Sequence, residues 1–315
     1  MRVLIVGAGI AGLACADALV AAGAQVALVD KGRRAGGRMS TRATMVGDRP
    51  VRFDHGAQYF TARDSAFVEQ VERWEAEGVA ARWPAAGDDA WVGEPEMRDV
   101  LRAVAERHEV TWGVAVETVA FDGAVWSAAG MAGHYDAVTI ALPAEQAVSL
   151  LAPRRPDFAK IAANTPSEPG WTTMVAFAQR VATGADIVRN AGPVGWAARD
   201  SAKPGRGPLE TWVIQATPDW SRAHLEEDAD TVATALLAAF AAALDTPLPD
   251  PLYLKAHRWR YARSGGRNGP GLLWDPPLKL GVCGDWLADP RVEAAWLSGR
   301  SLARRIVDGR EDARL

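Results

Sequence analysis

The six residues Gly7-Ala8-Gly9-Ile10-Ala11-Gly12 constrain this chain more than any others. They follow the β-branched run Arg2 to Val6 and open an apolar helical pattern lasting to about Ala22; Gln25 to Val29 then reads as a second strand ending at Asp30. A strand, glycine turn, helix and strand within about 30 residues make a βαβ unit, which needs a parallel sheet covered by helices. In the G-x-G-x-x-G spacing the first glycine permits the tight turn, Gly9 lets a diphosphate approach the backbone, and Gly12 lets helix and strand pack closely. The helix start would hold the anion through unpaired N–H groups and the positive dipole end. Asp30 is placed to accept hydrogen bonds from adenosine ribose hydroxyls, which favours FAD or NAD over a 2′-phosphorylated cofactor. A glycine turn serving packing alone is the competing reading.

At 315 residues the chain is long enough for two ordinary domains. Its net charge of −4 offers no attraction to nucleic acid or anionic lipid. Two cysteines, Cys15 and Cys283, form no disulfide framework and no zinc arrangement, so no metal site and a reducing compartment are expected. The apolar start lacks a cleavage site, and Val232 to Leu244 is too short for a span of about 20 residues. A soluble, cytoplasmic, monomeric protein is expected, without nucleic-acid or membrane partners. Its 13 tryptophans against 4 tyrosines and 7 phenylalanines suggest flat pocket walls.

Further along, helices are expected over about Asp64 to Glu77 and Glu96 to Arg107. Strands are expected near Val110 to Thr118, Gly123 to Ser127 and His134 to Ala141. From about Ala152 to Leu252 proline and glycine are scattered densely among strand-like runs at Trp171 to Arg180, Gly195 to Ala198 and Thr211 to Ala216, which reads as a second domain. A strand at Leu280 to Cys283 and a helix from Val292 to Val307 would return the chain to the first domain.

Directly after Asp30 the sequence continues Lys31-Gly32-Arg33-Arg34-Ala35-Gly36-Gly37-Arg38-Met39-Ser40-Thr41. The Gly-Gly-Arg gives a second close backbone approach and a guanidinium for phosphate or flavin oxygens. The arrangement resembles the extended dinucleotide fingerprint of FAD-binding oxidases such as amine oxidases. Gly281-Val282-Cys283-Gly284-Asp285 resembles the late Gly-Asp motif of flavoproteins, whose carboxylate contacts the ribityl chain. The next helix, from Val292, would then turn its positive end toward the flavin O2 side. Gly113 to Val119 resembles the strand giving a backbone contact to adenine, with Val116 at the contact.

Together with Val51-Arg52-Phe53-Asp54-His55-Gly56-Ala57-Gln58-Tyr59-Phe60, His257-Arg258-Trp259-Arg260-Tyr261-Ala262 and Leu273-Trp274-Asp275, these motifs resemble the renalase-like flavoproteins of the flavin amine oxidase superfamily. The likeness covers roughly residues 1 to 63 and 253 to 304. Glu96 stands where that family has glycine, and Ser264 where it has proline. The resemblance implies an α/β fold like p-hydroxybenzoate hydroxylase, a Rossmann-like FAD domain with an inserted mixed-sheet substrate domain. Residues 1–72, 97–150 and 265–315 would form the first, and 73–96 and 151–264 the second. It implies noncovalent FAD held by Gly7, Gly9, Ala11, Gly12, Asp30, Lys31, Gly36, Gly37, Arg38, Met39, Gly56, Ala57, Gln58, Tyr59, Val116, Gly284, Asp285 and Glu293. The implied reaction passes a hydride from a small-molecule substrate to flavin N5 and electrons to O2, giving hydrogen peroxide. The implied substrates are misreduced dihydro isomers of NAD(P)H, returned to NAD(P)+. The alternative is a flavin oxidase or dehydrogenase for a small amine, with Lys255 as its one tempting lysine.

Strand alternation places Tyr253, Lys255, His257, Trp259 and Tyr261 on one face, either a pocket wall or a core ladder. His257 is the best acid–base or substrate-orienting candidate among five histidines; with Trp259 and Tyr59 it makes the catalytic set. His55 lies in the motif expected beside FAD, or only packs there. Trp171 and Trp212 either line the pocket or pack in the core.

Overall fold

Short runs of β-branched residues with no polar side dominate the first sheet, and such runs fold as strands covered on both faces. In the computed structural model, which describes residues 1–309, the strand Arg2–Val6 is buried from Val3 onward. Residues 310–315, the end of the expected 265–315 segment, lie outside the described residues. The chain forms two units, one of residues 1–37, 101–167 and 264 onward, the other of residues 38–100 and 168–263.

In the first unit a six-stranded sheet runs in the order Leu272–Asp275, Leu280–Cys283, Ala137–Ile140, Arg2–Val6, Gln25–Asp30, Val110–Trp112. All pairs are parallel except the antiparallel edge strand Leu272–Asp275. The glycine turn leaves the carboxyl end of Arg2–Val6, whose neighbours lie on opposite sides in sequence order, the usual place for a ligand in such sheets. The helices Ile10–Ala21 and Val292–Asp308 lie against each other, and a Cβ at Gly299 would stand 2.0 Å from the Ala11 carbonyl oxygen. Glycine there permits the close crossing, so the terminal helix is fixed on the first one.

The expected strand to Thr118 ends at Trp112. Gly113 has φ +77°, and the N–H groups of Gly113 and Val114 turn to the carbonyls of Gly32 and Asp30. Val116 therefore sits in irregular chain, half-buried against the core of this unit. The helix expected from Glu96 begins only at Asp99, because Glu96 and Met97 are engaged elsewhere, as described below.

The second unit is built on a five-stranded sheet in the order Ile187–Ala191, Val194–Arg199, Glu210–Ala216, Glu168–Phe177, Pro251–Arg263. Expected as mixed, it has only antiparallel pairs: Glu168–Phe177 connects past two strands to Ile187–Ala191, the next two strands follow as neighbours, and a helical return leads to Pro251–Arg263. Helix Ala229–Leu244, capped by the Asp228 carboxylate on the N–H groups of Asp230 and Thr231, covers one face with Val232, Leu236 and Phe240. The other face carries Met174, Ala176, Val213 and Tyr253 against Val46, Val51 and Phe53 from the hairpin Arg42–Val46/Arg49–Phe53. Helix Ser65–Ala76 starts where Asp64 caps Ala66 and Phe67.

The tryptophan excess is largely structural. Trp126, Trp171, Trp212 and Trp286 are buried, and each indole N–H donates to an acceptor: Leu278 O, His224 O, a Glu210 carboxylate oxygen and Leu142 O. Trp171 and Trp212 are thus core residues of the second unit. A satisfied N–H lets so large a side chain be buried without an unpaired donor.

Candidate functional site

In the first unit the glycines have separate tasks. Gly7 has φ +107°, and a Cβ there would stand 2.5 Å from the Ala141 carbonyl oxygen; one at Gly12 would stand 1.9 Å from the Gly7 carbonyl oxygen. Both are required by the fold itself. A Cβ at Gly9 would meet nothing within 4 Å, although Gly9 heads the helix Ile10–Ala21, which has no side-chain cap and no acidic residue in its first turn. Open space before uncapped N–H groups is what a bound diphosphate requires. Gly37, with φ +50°, lies beside Gly9, so the Gly36-Gly37 turn is brought to this helix start, and Ala11 is buried in the first turn.

Asp30 accepts from Ala8 N–H at 2.8 Å and Gly32 N–H at 2.6 Å, which fixes its carboxylate beside the turn with about two of its four acceptor positions left. Lys31 is exposed. Asp285 is buried and accepts from the Ser264 hydroxyl at 3.0 Å, so Ser264 supplies a hydrogen bond to the Gly284-Asp285 turn. Gly284 N–H donates to Ser298, and Glu293 is buried in the first turn of Val292–Asp308. Cys15 and Cys283 are buried; burial pushes the Cys15 thiol up to about 12 and Cys283 well above its usual range, so neither is a nucleophile at neutral pH.

In the second unit the segment 54–59 is held from all sides. Ala57 N–H donates to the Arg38 carbonyl at 2.8 Å, and a Cβ at Gly56 would stand 2.1 Å from that same oxygen, so Gly56 permits this approach. Met39 is buried in the short turn Gly37–Met39. The His55 carbonyl accepts from the Trp259 indole at 2.9 Å, and the Gly56 carbonyl from Gln215 at 2.7 Å. The rings of His55, His257 and Trp259 form one cluster with centroid separations of 4.8 Å, 5.1 Å and 4.7 Å. Strand alternation thus places His257 and Trp259 on one wall, and His55, which the sequence left open, completes it.

Lys255, of the same parity, swings at the sheet edge to the Asp230 carboxylate at 2.8 Å. Tyr59 belongs to a second aromatic group, 5.2 Å from Trp196 and edge-on to Trp83 at 6.5 Å. Both tryptophans escaped sequence reasoning, since nothing local distinguishes them from core indoles.

The wall is electrically neutral at physiological pH. Burial, reinforced by His257 and Arg42, lowers His55 to about 3; burial and then Arg42 lower His257 to about 4. The unfolded chain takes up protons on these rings below about pH 6.5 while the folded one does not, so their contribution is full above that pH and falls as pH drops toward 4. Denaturant unfolding between pH 7 and 5 is therefore expected to show stability falling with pH, and His55→Gln to remove up to about 1.4 kcal/mol per pH unit of that slope. An unchanged slope would refute the assignment of His55 as a buried neutral ring.

Behind Gln58 lies a buried charge cluster that the sequence does not announce. Asp54 accepts from the Thr41 hydroxyl at 2.8 Å, the Met97 N–H at 2.9 Å, Lys203 at 3.3 Å and the Arg206 guanidinium. Burial would raise its carboxyl, but Lys203 and Arg206 outweigh that and hold it well below the usual range. Lys203 Nζ is also 2.7 Å from Asp200, whose carboxyl burial and the Asp54 charge push up. Glu96 is buried and pairs with Arg98 and, at 3.0 Å, with Arg52.

Residues 84–307 match the family described as flavin containing amine oxidoreductase, and residues 5–72 match the NAD(P)-binding Rossmann-like domain. The chain belongs to the flavin-containing amine oxidoreductase family, and FAD is its cofactor. A hydroxyneurosporene desaturase from Rubrivivax gelatinosus is 38% identical over 117 residues, 34% of this chain and 20% of that protein, so the match spans a fifth of the relative's length. A proposed protoporphyrinogen oxidase from Exiguobacterium sp. 255-15 has a TM-score of 0.77 at 12% identity, with 98% of this chain and 99% of that one covered. Cyclohexylamine oxidase from Brevibacterium oxydans IH-35A has a TM-score of 0.73 at 15% identity, with 98% of each chain covered. At these identities the structures share the fold alone. Among the described residues no helix is long and apolar enough to cross a membrane, and no group of three or more His, Cys, Asp or Glu is arranged to hold a metal.

Proposed function

We propose that this flavoprotein is a renalase-like oxidase that removes a hydride from dihydro isomers of NAD(P)H reduced at the wrong nicotinamide carbon, with O2 as acceptor, one proton taken from solvent, and NAD(P)+ and hydrogen peroxide as products. The observation that carries this reading is the neutral aromatic wall of His55, His257 and Trp259, in which His257 packs edge-on against the other two rings. A dihydronicotinamide gives up a C–H bond with both its electrons and no proton, so its oxidation needs no base, and rings at about 3 and about 4 are poor bases at neutral pH. The product ring is a cation, which an indole face stabilises. Arg42, whose charge reaches both imidazoles, would answer the substrate's diphosphate. FAD, when bound, supplies the two-electron acceptor and the route to O2.

Gly7, Gly9, Gly12, Gly36, Gly37 and Asp30 would hold its adenosine diphosphate end, Asp285 its ribityl chain, and Gly56, Ala57, Gln58 and Tyr59 would border its ring. In this reading residues 1–72, 97–150 and 265 onward serve the cofactor, and 73–96 and 151–264 the substrate. The second reading, oxidation of a small amine, is favoured by the family's description and by the amine oxidases of the same fold. Its one lysine candidate on the strand, Lys255, is half-exposed and paired with Asp230.

Anaerobic mixing of the oxidised enzyme with dihydronicotinamide isomers, ordinary NADPH and an amine panel separates the two. Flavin bleaching by the isomers is expected to be at least about 100-fold faster than by any amine, a barrier difference of about 2.7 kcal/mol. Bleaching by amines alone would overturn the reading.

A further inference from the structure

We propose that Lys203 is a positioning residue, which acts through the Gln58 carboxamide to hold the segment 54–58 and so the His55–His257–Trp259 wall; this rests on that wall being the substrate face. Lys203 is wholly buried, and its ammonium lies 3.3 Å from Gln58 Oε1. An ammonium only donates, so it fixes which end of the carboxamide faces it. The other end, Nε2, then has to donate to the main-chain carbonyls of Asp54 and, at 3.2 Å, Gly56. With the amide reversed, N–H would face ammonium and oxygen would face two carbonyls, which is repulsive at both ends.

The three carbonyls of 54, 55 and 56 are thereby clamped in turn, by Gln58, by the Trp259 indole, and by Gln215 with Gln58. Displacing the segment would break the bond from the Trp259 indole to His55 O and shift the His55 ring in its contacts with His257 and Trp259. The ammonium is itself held by Asp200 at 2.7 Å and Asp54 at 3.3 Å, and Arg206 completes the cluster, pinned on the carbonyls of Gly93 and Pro204 at 3.1 Å and 2.9 Å. A cluster that merely neutralised buried charge would have no need of Gln58. Here the lysine is shared between the carboxylates and the carboxamide.

Two variants test this in the FAD-loaded enzyme. Gln58→Glu keeps an acceptor for Lys203 but has no N–H for the carbonyls. Asp200→Asn with Lys203→Met removes one positive and one negative group together, so no net charge is left buried. Both are expected to shift or broaden the Trp259 indole N–H resonance in 15N-indole-labelled protein, assigned through Trp259→Phe. Asp200→Asn/Lys203→Met is expected to raise KM about tenfold with kcat changed less than about threefold, and its combination with Gln58→Glu is expected to shift the indole resonance no further than either alone.

A folded Asp200→Asn/Lys203→Met protein with the indole resonance at its wild-type position would overturn the proposal. So would additive effects in the combination, or failure of both variants to fold, since the cluster would then be structural only. A shifted resonance with unchanged KM would uphold the positioning role and instead refute the wall as the substrate face.

Discussion

Gly9→Val is expected to give a protein that folds and cannot keep its flavin. A Cβ at Gly9 meets nothing within 4 Å, and the residue's φ of −76° is open to any side chain, so the variant chain can close the same turn. The loss of a good N-cap residue should cost about 1 kcal/mol, which lowers the apoprotein Tm by about 2–4 °C. The added branched side chain occupies the space before the uncapped N–H groups, where the diphosphate belongs, and FAD affinity is expected to fall at least about 100-fold, ~2.7 kcal/mol. Gly12→Val makes the contrasting control. Its Cβ would stand 1.9 Å from the Gly7 carbonyl oxygen, so helix and strand cannot pack and the apoprotein itself should not fold. Titration of both apoproteins with FAD, followed by flavin fluorescence and by thermal melting, checks the pair. Stoichiometric flavin in purified Gly9→Val would remove the diphosphate from this turn.

Asp54→Ala is expected to be among the most damaging single changes in the second unit. It leaves the side chains of Lys203 and Arg206, which are 0% and 4% exposed, without the carboxylate they share. Removing one partner of a buried ion pair typically costs about 3–5 kcal/mol, because a charge stays behind in a poorly polarisable interior. At about 2–4 °C per kcal/mol for a protein of this size, the Tm should fall by roughly 6–20 °C. The effect should be constant around neutral pH. Because the Asp54 carboxyl is held below its unfolded value, its contribution is complete above about pH 4 and is lost only as pH falls through the lowered value. A Tm loss under about 2 °C would mean that the two cations find other partners.

The features legible in the sequence are those whose cause is local. The turn at Gly7 to Gly12, the helix start at Asp64 and the strand Leu280–Cys283 all follow from neighbours a few residues away. Alternation along Pro251–Arg263 likewise places His257 and Trp259 on one wall, since the period of a strand is intrinsic to it. It fails for Lys255 because a long flexible side chain at a sheet edge follows its counter-ion, here Asp230, and not the pleat.

Where long-range partners decide, local pattern misleads. The strand beyond Trp112 stops because Gly113 and Val114 bond to the turn after Asp30 instead of extending the ladder. The helix expected from Glu96 loses its first residues because the Met97 N–H serves Asp54 and the Glu96 carboxylate serves Arg52 and Arg98. Nothing local marks Lys203 for burial, yet it is wholly buried against a carboxylate 149 positions away.

By itself, then, the sequence determined a βαβ unit with a glycine turn, an acid at the end of its second strand and a strand bearing an imidazole and an indole, because each rests on backbone geometry and spacing within one element. Only the tertiary structure decided that His55 joins the wall, that Glu96 and Ser264 are buried with charged or hydrogen-bonding partners, and that Lys203 meets Gln58. Buried charges are tolerated only where partners distant in sequence surround them, and which partners those are is a property of the folded chain.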